Sequence, residues 1–191
     1  FWGQRDRASL LKDGERLREH YRRVYYARKN FQLASTNRHY DIVERFRSGS
    51  RDYDDRGVVY IRHGEPTERA TYNAPGIQFN ESWMYERADG NLVFHFVARE
   101  DVQDYKLVES VFDVLGFSNA LALRGDRDNV TTGRVSDLLS TRERLSPIYS
   151  RLMQTGTAGS QQYLTEERML GRRSWRVSLV LLLLAPVMAW M

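Results

Sequence analysis

The dipeptide Asp89-Gly90 stands between two apolar runs, Ser82-Trp83-Met84-Tyr85-Glu86 and Leu92-Val93-Phe94-His95-Phe96-Val97. Both of its residues tolerate the positive φ of a tight hairpin turn, so the runs are expected to pair as antiparallel strands. Tyr105-Lys106-Leu107-Val108 offers a further strand. Val58 to Arg62 reads as another, ended by Gly64 and Pro66, and residues 67–80, with Asn73-Ala74-Pro75-Gly76, read as a loop.

Residues 13–31 are expected to form a helix. Leu17, Tyr21, Val24, Tyr25, Arg28 and Phe31 recur three or four apart among Arg and Glu. Asp13 is the candidate cap, and Glu15 suits the positive end of the helix dipole. Trp2, Tyr21, Tyr25 and Tyr26 read as core rather than as a base-stacking platform. Between Ser35 and Gly57 the pattern is weak, with a short helix expected around Ile42, Val43 and Phe46. Residues 118–134 read as loop, and Val135 to Met153 has helical spacing with a break near Pro147. Thr155 to Ser160 is a flexible linker by composition. The expected fold is α+β: an N-terminal helix packed on a small antiparallel sheet, a helical C-terminal region and an apolar C-terminal tail. Residues 1–115 would form the main domain, 116–171 an extension and linker, and 172–191 the tail.

Hydrophobic residues make up 41% of the 191 and aromatics 12%, enough for a real core and unlike a disordered composition. The net charge is +4 and nearly all the base is arginine, with lysine only at positions 12, 29 and 106. Bases and acids interleave, as in Arg51-Asp52-Tyr53-Asp54-Asp55-Arg56, which cancels locally rather than building a stripe that tracks nucleic-acid phosphates. Nucleic acid is therefore not an expected partner. The absence of cysteine excludes disulfides, thiolate nucleophiles and zinc-thiolate or iron–sulfur centres. Asp52, Asp54 and Asp55 lack the glycine and terminal glutamate of a calcium loop, and their arginine neighbours point to solvated ion pairs. No metal and no cofactor are expected. The chain opens on Phe1 rather than methionine, so it is expected to be processed or to lack its beginning.

The C-terminal segment has a different character. Arg172, Arg173, Trp175 and Arg176 precede fifteen residues without a charge, Val177 to Met191, with Leu181 and Leu184 inside the run and Trp190 near its end. As a helix this run is roughly 22 Å long. A bilayer core is about 30 Å thick, so the run is short for a full span unless Trp175 and further residues complete it. Tryptophans at both ends fit interfacial belts, and residues 175–191 are expected to meet lipid or neighbouring subunits. Met169 to Ala189 also has the anatomy of a secretory signal peptide, and a buried core helix is the plainer alternative.

The stretch Arg62-His63-Gly64-Glu65 resembles the way histidine phosphatases and phosphoglycerate mutases display their nucleophile. In that reading His63 attacks phosphorus, Arg62 holds the phosphoryl oxygens and Glu65 protonates the leaving group. The chemistry needs a second histidine. His95 alternates with Phe94 and Phe96 and is expected on the solvent face of the sheet, while His20 and His39 precede the motif. Those families also continue with strand–helix units, not with a hairpin.

An ordered series of residues resembles the GWxTD domain family. Phe1-Trp2 with Arg5-Asp6, then Tyr21-Arg22-Arg23-Val24 with Tyr26-Ala27 and Asn30-Phe31, are similar to its opening. Asp55-Arg56-Gly57-Val58-Val59-Tyr60-Ile61 with Gly64 and Pro66 resembles D-R-G-x-x-Y-I-x-x-G-x-P. The likeness covers roughly residues 1–110, and of the signature itself, aligned with Arg51 to Asp55, only the last aspartate remains. The resemblance implies an exported bacterial domain with no established catalytic role. These features together lead us to expect a non-catalytic accessory or scaffold subunit of a bacterial membrane complex, of an energy-transducing kind, photosynthetic reaction-centre/light-harvesting or respiratory. Arg172, Arg173 and Arg176 favour the cytoplasmic face and the family resemblance favours export, with the balance to the periplasmic face. The alternatives are a phosphoryl-transfer enzyme using His63 and a soluble ligand-binding domain.

Overall fold

The computed structural model describes residues 1–40, 46–98, 104–115 and 129–154, the last stretch without the side chains of 129–132. Four antiparallel strands form one meander: β1 (Glu68–Ala70), β2 (Phe79–Tyr85), β3 (Leu92–Ala98) and β4 (Lys106–Val108), neighbours in that order. Helices α1 (Trp2–Ala8), α2 (Glu15–Asn30) and α3 (Asp55–His63) precede the sheet, and a 3-10 turn (Val111–Leu115), α4 (Asn129–Ser140) and α5 (Pro147–Gln154) follow it. The fold is α+β, as the alternation of sheet and helical patterns implies.

The hairpin forms, with Trp83 opposite Phe94, Ser82 opposite His95 and Tyr85 opposite Leu92. Its connection is wider than a two-residue turn. Residues 86–91 lie outside the strands, and the Gly90 amide donates to the Arg87 carbonyl at 3.1 Å. Gly90 alone has positive φ there, 115°. β1 occupies part of what reads as a loop. Its three residues, Glu-Arg-Ala, carry no apolar alternation because it is an edge strand only half covered.

Alternation along β2 and β3 sends side chains to two faces, and both are covered. Trp83, Tyr85, Leu92, Phe94, Phe96 and Leu107 pack with Ala27 and Phe31 at the end of α2 and with Val58 and Val59 of α3. On the other face Met84 and Val93 meet Val111, Val114 and Leu115 of the 3-10 turn, and Leu138, Leu139, Leu145, Ile148, Tyr149 and Leu152. α4 starts at Asn129, earlier than the Val135 marked by apolar spacing. The core on that second face thus extends through residues 138–152.

The largest departure from the sequence expectation is α3. Val58 to Arg62 is helix, not strand. Asp54 sits at the N-cap in extended backbone, and its carboxylate accepts from the amides of Arg56 and Gly57 at 2.9 and 3.4 Å. Those bonds satisfy amides that a helix start leaves open, and Gly64, φ 84°, ends the helix. A run of Val-Val-Tyr-Ile favours strand by propensity, but the cap and the core contacts override it. α2 is capped differently from the expectation as well. Gly14 is its N-cap, and the donors of Gly14 and Arg16 go to the buried carboxylate of Asp6 in α1, at 2.8 and 3.1 Å, not to Asp13. Tyr21 and Tyr25 are solvent-exposed rather than core. Phe46 is buried, while Ile42 and Val43 lie outside the described residues.

Candidate functional site

Three polar constellations come together around the sheet. The first lies at the start of α3, where Asp54 and Asp55 are fully buried. Arg38 bridges two acids: its Nε and Nη2 donate to Asp104 at 2.9 and 2.6 Å, and its Nη1 to Asp55 at 3.0 Å. Asp55 also accepts the Leu107 amide at 2.9 Å, which ties α3 to β4. Arg56 donates to Asp54 at 2.8 Å and to Glu81 at 3.1 Å, and its guanidinium stacks 3.5 Å from the centroid of Tyr105. Arg69 and Lys106 complete the group, 3.7 Å from Glu81 and 3.9 Å from Asp104. Burial pushes the Asp54 carboxyl up to about 6 against the pull of Arg56. Arg38, Arg56, Arg69 and Lys106 match Asp54, Asp55, Glu81 and Asp104 in charge, so the group is neutral and its lone pairs are already engaged. The aspartates pair with arginines as the sequence suggests: Asp52 does so in solvent, with Arg28 at 2.9 Å, whereas Asp54 and Asp55 do so inside the protein. Among the described residues no three metal-binding side chains converge.

The second constellation holds the residues of R-H-G-E. His63 is the last residue of α3, its ring 5.2 and 5.3 Å from those of Tyr85 and Phe94. Its Nε2 is buried without a hydrogen-bond partner. Burial, with Arg87, Arg62 and Arg23 nearby, pulls its pKa down to about 4, so the ring is neutral at pH 7. Arg62 is half-buried, and burial lowers its pKa to about 10. Glu65 faces solvent in a surface pair with Arg69 at 2.6 Å. Gly64 is a helix stop: its carbonyl accepts from the Tyr85 hydroxyl at 3.0 Å. His63 therefore faces aromatic rings, and no second imidazole stands opposite it. His95 belongs to the other side of the sheet.

The third constellation was not legible from spacing, because its members lie on β2, β3, α5 and the turn after α4. His95, expected on a solvent face, is 3% exposed. Its Nδ1 meets the Ser82 hydroxyl at 2.7 Å and its Nε2 the Tyr149 hydroxyl at 2.8 Å. Arg142, with no exposed surface, donates from Nε to Ser82 Oγ at 2.9 Å and from Nη2 to Asn80 Oδ1 at 2.6 Å. Since Ser82 accepts from Arg142, its proton is free to go to His95 Nδ1. Burial, then Arg142, pulls His95 to about 3. Burial likewise lowers Arg142 to about 10, and among the described residues no carboxylate pairs with it. A serine hydroxyl on an imidazole suggests nucleophilic chemistry. Here Ser82, at 0% exposure, is enclosed by packed side chains, so the network works as a polar clamp between the sheet and the α4–α5 corner.

Arg172, Arg173, Trp175, Arg176, Leu181, Leu184 and Trp190, with the 155–160 linker, lie outside the described residues. Among the described residues no helix is long and apolar enough to cross a membrane. No family model, no curated protein and no solved structure matches the chain.

Proposed function

We propose that the chain is a non-catalytic accessory subunit of a bacterial membrane complex, of the GWxTD-like kind, held to lipid or neighbouring subunits by its C-terminal tail. The observation that carries this reading is the uncharged run Val177–Met191 behind Arg172, Arg173 and Arg176. Fifteen mostly Leu and Val side chains at about 1.5 kcal/mol or more each would exceed typical association costs. The tethered domain then acts at high effective concentration beside its partner. Supporting it, the charged residues of the D-R-G-x-x-Y-I stretch are engaged in packing: Asp55 with Arg38, Arg56 with Asp54 and Glu81. Tyr60 stacks on Tyr26, ring centroids 4.3 Å apart. These residues hold the scaffold together and leave no charge poised for a substrate. An energy-transducing assembly and its periplasmic face remain part of the proposal.

Gentle detergent extraction of native membranes, with identification of what co-purifies, tests it. Co-purification of integral membrane subunits is the expected result, and recovery of the chain alone in the aqueous fraction would count against the reading. A phosphatase assay comparing wild type with His63→Ala separates the rival: activity abolished by the substitution would install His63 as a nucleophile.

A further inference from the structure

The net charge of the protein is concentrated in its first two helices. Residues 1–30 contain nine Lys and Arg against four Asp and Glu, an excess of five, whereas the chain as a whole has an excess of four. The remainder is thus slightly acidic. α2 sorts its residues by face. Ala27 is in the core, while Arg18, Tyr21, Arg22, Tyr25 and Lys29 are exposed and recur three or four apart. They form one stripe about 16 Å long. Tyr21 is 65% and Tyr25 71% exposed. Arg22 pairs with Glu19 at 2.7 Å, while among the described residues no acid pairs with the side chains of Arg18 or Lys29, nor with those of Arg7 and Lys12 in the preceding helix and turn.

The turn between α1 and α2 adds an apolar tip. Leu10 is 96% exposed and sits at φ 55°, the left-handed region that a leucine seldom adopts, with Leu11 beside it. The tip is flanked by Arg7 and Lys12. The rings of Phe1, Trp2, His20 and Tyr21 follow one another at 5.2, 5.4 and 5.8 Å and join α1 to the stripe.

We propose that this face of the α1–α2 hairpin docks on an anionic lipid surface. The charge complementarity is direct, since clustered cations are drawn to acidic headgroups and amphipathic tyrosines suit the interfacial zone. A projecting pair of leucines between cations fits a penetrable headgroup layer better than the rigid surface of an acidic protein. The proposal rests on the membrane-bound reading above and deepens it: the tail holds the domain near the bilayer, and the hairpin fixes which side faces it.

Hydrogen exchange on the full chain, read segment by segment, tests both separately. The probes are vesicles of pure phosphatidylcholine and vesicles with one third phosphatidylglycerol. Protection of residues 5–29 is expected only on the anionic vesicles and is lost at high salt, whereas the tail is protected on both. Replacing Lys12, Arg18 and Arg22 by glutamine should lower the anionic-dependent partitioning about a hundredfold, roughly fivefold per cation, with the fold intact by circular dichroism. Leu10→Ala with Leu11→Ala should lower it roughly tenfold. Protection of the hairpin that ignores lipid charge, or that survives the glutamine substitutions, would overturn the proposal. So would protection by polyglutamate without protection by anionic vesicles, which would assign the face to an acidic protein. An unprotected tail beside a protected hairpin would sink the tether alone.

Discussion

At the scale of single residues, the buried cations divide by what they would leave behind. Removing Arg38 strands the carboxylates of Asp55 and Asp104 away from water, and Arg38→Met is expected to cost about 3–5 kcal/mol in urea unfolding. Among the described residues Arg142 hydrogen-bonds neutral partners, Ser82, Asn80 and Thr141, so Arg142→Met strands no charge among them. That substitution should cost less, about 1–3 kcal/mol for the lost hydrogen bonds to Ser82 and Asn80. Equal losses for the two would contradict the distinction. His63 supplies a pH signature. Its pKa falls from 6.5 unfolded to about 4 folded, so the unfolded chain takes up the extra proton as pH drops. The associated stability is full above pH 6.5 and lost as pH falls toward 4, on the order of 2–3 kcal/mol. Asp54 runs the other way: burial raises it to about 6, so its contribution to stability is lost as pH rises through that value. His63→Phe isolates the first effect. It keeps the ring contacts with Tyr85 and Phe94, removes an unsatisfied nitrogen, and should flatten the decline between pH 6.5 and 4. A slope unchanged from wild type would contradict the assignment.

Among the elements, α3 concentrates most of what a sequence reading leaves out. A Cβ at Gly57 would lie 2.9 Å from Cβ and 2.7 Å from Cδ2 of Tyr53, near the base of that ring. Gly57→Ala should therefore destabilise by about 1–3 kcal/mol although alanine is the better helix former, as a thermal melt would show. Stabilisation instead would mean that Tyr53 moves freely. The glycine serves packing, not backbone freedom. The same helix shows where legibility stops. Asp55, Val58, Val59 and Arg62 keep the i, i+3, i+4, i+7 period, and Asp54 is a cap residue, yet four β-prone residues in a row read more readily as strand. β2 and β3 were legible because an alternating run shows its two faces directly. His95 was misplaced because alternation marks the opposite face without revealing that α4 and α5 cover it. The Ser82–His95–Tyr149–Arg142 network joins residues up to 67 positions apart, from Ser82 to Tyr149, and no local pattern carries such information.

The whole molecule is a sheet clad on both faces, with the buried Asp54, Asp55 and Asp104 matched to arginines and His63 and His95 kept neutral by burial. The proposed arrangement places this rigid body beside a membrane, tethered by the run after Arg176 and oriented by the hairpin that carries the positive excess. The proposal requires the head and the tether to be separable. The most direct measurement is membrane fractionation of the full chain against one ending at Gly171, with urea unfolding of whatever is released. The full chain is predicted to stay with the membranes, and the shortened one to leave them folded, with its unfolding midpoint little changed. A shortened chain that unfolds would make Val177–Met191 part of the core, and a full chain already free in the aqueous fraction would remove the tether; either contradicts the account.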